Sequence, residues 1–180
     1  MRTAIVNLGV IVNGDWRDPV TAGDTIVMDE GKIESVGTAS SKAVSSCDVI
    51  IDADGATAIP GFIDSQVHNT FGDYTPRQKT VGFLESYIHG GTTTGITASE
   101  VHVTGRPKDP EGVKALAVAA MKCFEHYRPG GMRFWAGSII LEPNLVENDF
   151  KEISNKGVWL AKAGFGAVQT PYDYAPMIGW

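Results

Sequence analysis

The residues best suited to chemistry stand at the ends of apolar runs. The segment Pro60-Gly61-Phe62-Ile63-Asp64-Ser65-Gln66-Val67-His68 carries polar groups through an otherwise apolar stretch. Extended backbone repeats every two residues, so Phe62, Asp64, Gln66 and His68 are expected on one face and Ile63, Ser65 and Val67 on the other. A histidine ending such a face is a candidate metal ligand or acid–base group; a histidine merely hydrogen-bonded at a strand terminus explains it as well. Lys162, in Trp159-Leu160-Ala161-Lys162-Ala163-Gly164, is the second candidate, because a bare ammonium inside an apolar strand is costly to desolvate. The alternative is a long side chain that snorkels to the strand end. Asp73, Tyr74 and Arg77 follow the first of these runs, and His102 and Arg106 follow the next. Either arginine suits a substrate carboxylate through a bidentate guanidinium pair, and surface solvation accounts for both equally. His89 and His126 close helical stretches, where the dipole favours a cation, and read as helix ends rather than ligands.

Two textures position these groups, and they change near Pro60. Before it, short β-rich runs (Ala4 to Val12, Thr25 to Met28, Lys32 to Val36, Asp48 to Ile51) are separated by Asn13-Gly14-Asp15, Asp29-Glu30-Gly31 and Asp52-Ala53-Asp54-Gly55. The second of these turns reads as a tight hairpin with Gly31 at positive φ. The expected unit over 1–57 is part of a small sandwich or barrel. Over 58–180 strand and helix alternate: strands at 58–68, 92–99, 133–141 and 158–165, helices at 76–89, 110–126 and 147–156, and a helix beginning at Tyr172. A β–α repeat of roughly 30 residues gives parallel βαβ units. A doubly wound sheet and a (β/α) barrel both satisfy it; no glycine-rich phosphate fingerprint follows the first strand, which disfavours dinucleotide binding. In either arrangement working residues gather at the C-terminal ends of strands.

Composition narrows the partners. The 180 residues carry a formal charge of -6 and no block of Lys or Arg, which argues against nucleic acid and against acidic membrane surfaces. No run approaches the ~18 apolar residues of a membrane span, and the opening lacks the marks of a signal peptide. Cys47 and Cys123 form no metal or redox spacing and read as free thiols in a reducing compartment, so the cytoplasm is the expected location.

Pro60-Gly61-Phe62-Ile63-Asp64-Ser65-Gln66-Val67-His68, after a β-rich leader that includes Gly31-Lys32-Ile33 and ends Asp54-Gly55, resembles the signature of the amidohydrolase superfamily. Gly72 to Thr80, Gly105 to Asp109, Gly157-Val158-Trp159 and Ala175-Pro176-Met177 are similar to its enamidase branch, whose chemistry opens a cyclic enamide. The resemblance implies a (β/α)8 TIM barrel preceded by part of a β-sandwich, a zinc centre (with iron or a second divalent metal as variants), a small cyclic amide as substrate, and a homo-oligomer. It also implies metal ligands. The family ends its first barrel strand His-x-His, and here Gln66 stands in the first of those places with His68 in the second. Glutamine offers a neutral amide oxygen, a poor donor for zinc, so a weakened, single-metal or lost centre is expected. The family's fourth strand supplies a metal bridge, a glutamate or a lysine carboxylated by carbon dioxide, and Lys162 matches the lysine form. Tyr74, Arg77, His102 and Arg106 fall where the resemblance puts substrate contacts. The remaining histidines and a general-base aspartate belong to later strands of the family's barrel, so a catalytic set is not expected within these residues, and the chain reads as an N-terminal fragment.

Overall fold

The computed structural model describes residues 1–68, 80–98, 103 and 105–180. It divides into two compact units, Met1–Pro60 and Gly61–Trp180.

The first unit holds β1 (Arg2–Val6), β2 (Val10–Val12), β3 (Val20–Thr21), β4 (Thr25–Asp29), β5 (Lys32–Gly37), a short α1 (Ser41–Ser45), β6 (Val49–Asp52) and β7 (Thr57–Ala58). They form one sheet in the order β5-β4-β1-β6 and a second in the order β3-β2-β7. The β4–β5 hairpin turns through Glu30 and Gly31, both at positive φ (48° and 75°), which is the two-residue turn whose twist matches its flanking strands. The run expected as one strand from Ala4 to Val12 is instead two. Asn7 adopts φ 57°, and the backbone at Gly9 passes so near Gly55 that a Cβ there would lie 2.4 Å from its carbonyl oxygen. Ser40 caps α1 by accepting the Ala43 N–H, a helix the β-rich texture had hidden. Along β6, Val49, Ile50 and Ile51 are all exposed.

The second unit repeats strand and helix: β8 (Phe62–Val67), α2 (Thr80–His89), β9 (Thr92–Thr97), α3 (Pro110–Phe124), β10 (Arg133–Trp135), β11 (Ser138–Ile140), α4 (Glu147–Asn155), β12 (Leu160–Lys162) and α5 (Ala175–Gly179). Two single-turn helices, Pro129–Gly131 and Pro171–Tyr174, complete it. β8 pairs parallel with β9, β9 with β10, and β11 with β12. β10 and β11 are halves of the expected third strand, interrupted at Gly137 (φ 91°). Each strand therefore neighbours its predecessor, in chain order, with no reversal. A doubly wound sheet reverses order at its switch point; sequential parallel pairing is the barrel's pattern, and this unit is its first four strands.

Helices cover one side of the strands. α3 begins at Asp109, whose carboxylate accepts the Gly112 N–H at 2.8 Å, with Pro110 at its first turn. Its apolar face puts Val113 and Ala117 against Ile139, Leu141, Ile153 and Val158. Phe124 joins Val67, Leu84, Met132 and Phe134 in a second cluster. Each fully buried side chain of this size contributes about 1.5–3 kcal/mol, so these clusters fix the strands on which the site depends. Among the described residues no helix is long and apolar enough to cross a membrane.

Candidate functional site at the strand ends

Strand β8 departs from the alternation its sequence suggests. Its pairing with β9 shifts register between Asp64 and Val67. The Asp64 carboxylate accepts the Gln66 N–H at 2.9 Å and is hydrogen-bonded to Tyr87 of α2, whose phenol is pushed up by burial, by the Asp64 charge and by that hydrogen bond. Val67 packs into the same helix-side cluster. Asp64 and Val67, three residues apart, thus both address the helix layer, which unbroken two-residue alternation forbids. The expectation that Asp64 shares a face with Gln66 and His68 is corrected: a bulge, closed by the aspartate's own bond to the backbone, turns it away. From within the bulge the Gln66 Nε2 lies 3.4 Å from the His68 Nε2.

Lys162 ends β12, opposite Ile140 in register, and its carbonyl accepts the Leu141 N–H at 3.0 Å. It is half-buried rather than enclosed. Its Nζ stands 5.8 Å from the centre of the Phe165 ring. The His68 ring approaches the same phenyl group, with centroids 6.5 Å apart and planes inclined at 59°. The two candidates, from the first and fourth barrel strands, are therefore brought to one aromatic ring.

The backbone that carries that ring is held by a buried ion pair. Glu142, two residues after the end of β11, is fully buried and accepts Arg106 Nη1 at 2.8 Å. Its other oxygen accepts the Ala167 N–H at 2.8 Å. Arg106 Nη2 donates to the Phe165 carbonyl at 2.9 Å. One carboxylate thus ties together the loops after the second, third and fourth strands. Between the two anchored positions, a Cβ on Gly166 would lie 2.1 Å from the Leu141 carbonyl oxygen. Arg106, expected as a substrate contact, is engaged in this pair. Tyr74, Arg77 and His102 lie outside the described residues, as does Asp73. His89 and His126 are exposed. Sequence reasoning missed Glu142 and Phe165; the available signal was an acid directly after the apolar run Ile139-Ile140-Leu141, at a strand's C-terminal end.

A second acidic cluster has metal-like spacing. Carboxylate oxygens of Glu111, Asp149 and Glu152 lie within 4.8 Å of one another. The buried Lys114 ammonium occupies the space between them, at 2.7, 2.9 and 2.6 Å respectively. The cation such a cluster would take is already supplied by the chain, which pins α3 to α4. Among the described residues near the strand ends, the candidate donors are different in kind: the His68 imidazole, the Lys162 amine and the Gln66 amide. They suit a divalent ion through His68 and, as its carbamate, Lys162; Gln66 brings neither the imidazole nor the charge a zinc ligand provides.

No family model matches the chain. It is 44% identical over 180 residues to enamidase from Eubacterium barkeri, covering 99% of this chain and 47% of enamidase. The crystal structure of enamidase, described as a new member of the amidohydrolase superfamily, superposes on all of this chain with a TM-score of 0.88. The chain is an enamidase homologue with the amidohydrolase fold. It spans about half the length of enamidase, 47%, and 24% of an imidazolonepropionase from Paenarthrobacter aurescens TC1, to which it is 36% identical over 100 residues. A mutant atrazine chlorohydrolase from Arthrobacter aurescens TC1, complexed with zinc and atraton, shares the fold at 17% identity and a TM-score of 0.59, over 88% of this chain and 52% of its own.

Proposed function

We propose that this chain contributes to a metal-dependent hydrolase that opens a C–N bond in a cyclic amide. The observation that carries the reading is the meeting of His68 and Lys162, from opposite ends of the strand series, at one ring beyond the C-terminal strand ends. Similarity to enamidase over 99% of the chain supports it. A bound divalent ion would lower the pKa of a water molecule and polarise the amide carbonyl.

The chain's own residues would prepare that chemistry. The Asp64 bulge sets the direction of His68, whose imidazole would hold the ion. Lys162 would serve as a carbamate: its amine lone pair would add to the carbon of carbon dioxide, one proton would leave to solvent, and one negative charge would be shared by two oxygens. The other ligands and the general base are assigned to the portion of enamidase's length that this chain does not span.

A second reading is favoured by Gln66. Its amide nitrogen lies 3.4 Å from His68 Nε2, where it would compete with an ion for the ring, as in a relative that kept the fold and a binding role without metal. Metal analysis of the complete protein grown with added zinc separates the two. The hydrolase reading expects bound zinc or iron, its loss in His68→Ala, and turnover of a lactam. A folded protein that stays metal-free and inert toward lactams would leave the second reading standing.

A further inference from the structure

We propose that Phe165 is the wall against which a flat ring substrate stacks, held in place by the buried Arg106–Glu142 pair. The proposal deepens the cyclic-amide reading and rests on it.

Phe165 is an unusual place for an aromatic residue. Its side chain is 62% exposed, and it belongs to neither apolar cluster. Its backbone lies at φ 64°, the left-handed region that residues with a Cβ avoid. Such a conformation persists only where its surroundings over-determine it, and it is commonest at binding and catalytic sites. The surroundings here do so: its carbonyl is held by Arg106, the next residue is pressed onto the Leu141 carbonyl, and the one after donates to Glu142. All three holds are on the backbone. From this mount the phenyl group reaches His68 and Lys162.

What it projects toward identifies the ligand class. The ring stands within aromatic range of His68 and within cation range of Lys162. A phenyl group has no donor for an ion, so its contribution there is surface. A cyclic amide whose carbonyl points at the ion would bring its ring beside this surface, and a flat, unsaturated ring gains more from stacking than a puckered one.

The test uses the complete protein and two probes, 3,4-dihydro-2-pyridone and its saturated counterpart 2-piperidone. Phe165→Leu is expected to raise KM for the unsaturated lactam about three- to tenfold. KM for 2-piperidone should move less than about twofold, kcat and metal content should hold, and Phe165→Tyr should restore the preference. An unchanged KM ratio in Phe165→Leu overturns the proposal, as does loss of metal in step with activity. Calorimetric titration of the unsaturated lactam distinguishes the two layers of the argument. Binding without turnover, lost in Phe165→Leu and kept in Phe165→Tyr, refutes the hydrolase reading and supports the wall; no binding to the unaltered protein overturns both.

Discussion

Removing the carboxylate of Glu142 should cost more stability than any other single truncation on the strand-end face. Glu142 is fully buried and Arg106 is 10% exposed, so Glu142→Ala leaves a guanidinium with little water and no counter-charge. Breaking a buried pair in this way costs about 3–5 kcal/mol. At roughly 2–4 °C per kcal/mol for a protein of 150–250 residues, the melting midpoint should fall by about 6–20 °C. Glu142→Gln retains volume and an acceptor but not the charge, so it should lose one charge-assisted bond, about 1.5–3 kcal/mol. The informative variant is the double one. Replacing both partners with apolar residues (Arg106→Met, Glu142→Leu) removes the stranded charge along with the pair and should recover most of the loss. Thermal unfolding followed by circular dichroism reads all three. A double variant no more stable than Glu142→Ala would refute the reasoning, because the cost would then lie in packing and not in an unpaired charge. The series also weighs Arg106 as a substrate contact: that role raises KM in Arg106→Met without requiring the midpoint to fall.

The acidic cluster gives a pH prediction. The Lys114 and Lys156 ammonium groups hold Glu152 down to about 2 from its ordinary 4.5, a depressed carboxylate whose stabilisation is complete above pH 4.5 and lost as pH falls toward 2. The melting midpoint should therefore decline across that window, and Lys114→Met should flatten the decline while lowering the midpoint at pH 7, where three carboxylates would face one another; an unchanged acid limb counts against the clamp. Gln66→His should increase zinc affinity at least about tenfold, measured by competition with a chromogenic chelator, since it replaces an amide with an imidazole; no gain would mean that the strand end cannot present two ligands. Gly137→Ala should destabilise by more than about 1 kcal/mol in denaturant titration, because φ is 91° there and the new Cβ would lie 2.5 Å from the Ala117 carbonyl oxygen. A neutral effect would show that the break between β10 and β11 is not enforced.

The repeat of strand and helix after Pro60 was legible because it rests on periodicity and punctuation: Asp109-Pro110 opens α3, Gly90-Gly91 follows α2, and the apolar stripe Val113, Ala117, Phe124 matches the buried face. Strand continuity was less legible. Gly9 and Gly137 interrupt runs that look continuous, and the reason for each is a backbone some distance away in sequence, Gly55 and Ala117. The site divided along the same line. His68 and Lys162 could be singled out as candidates by residue type and position within a run, and the fold sets both near one ring. Asp64 was assigned to the wrong face because its carboxylate alters the strand that carries it, a local bond that alternation cannot anticipate. Glu142 was missed because its partners come from 36 residues upstream and 25 downstream, and only the fold reveals that these loops meet.

The strand-end face is held together by charge because the apolar layers stop short of it. Val67 closes β8 and Leu141 directly follows β11, both buried, and the chain after Leu141 has polar backbone to satisfy. The energetic balance at Phe165 follows from that arrangement. A left-handed conformation costs a residue with a Cβ roughly 1–2 kcal/mol. Against it stand the Arg106 bond to the Phe165 carbonyl and the Ala167 bond to Glu142, each involving a charged group and worth about 1.5–3 kcal/mol. The clamp wins by a margin of a few kcal/mol, enough to hold one conformation. Glu142→Gln keeps one carbonyl oxygen for two donors, so either the Ala167 bond or the anchor on Arg106 is lost, and the two terms become comparable. Phe165 should then populate the right-handed region and turn its ring away from His68. Glu142→Gln would lose the preference for the unsaturated lactam even at temperatures where the protein is fully folded, so the stability series and the KM series test one mechanism by independent readouts.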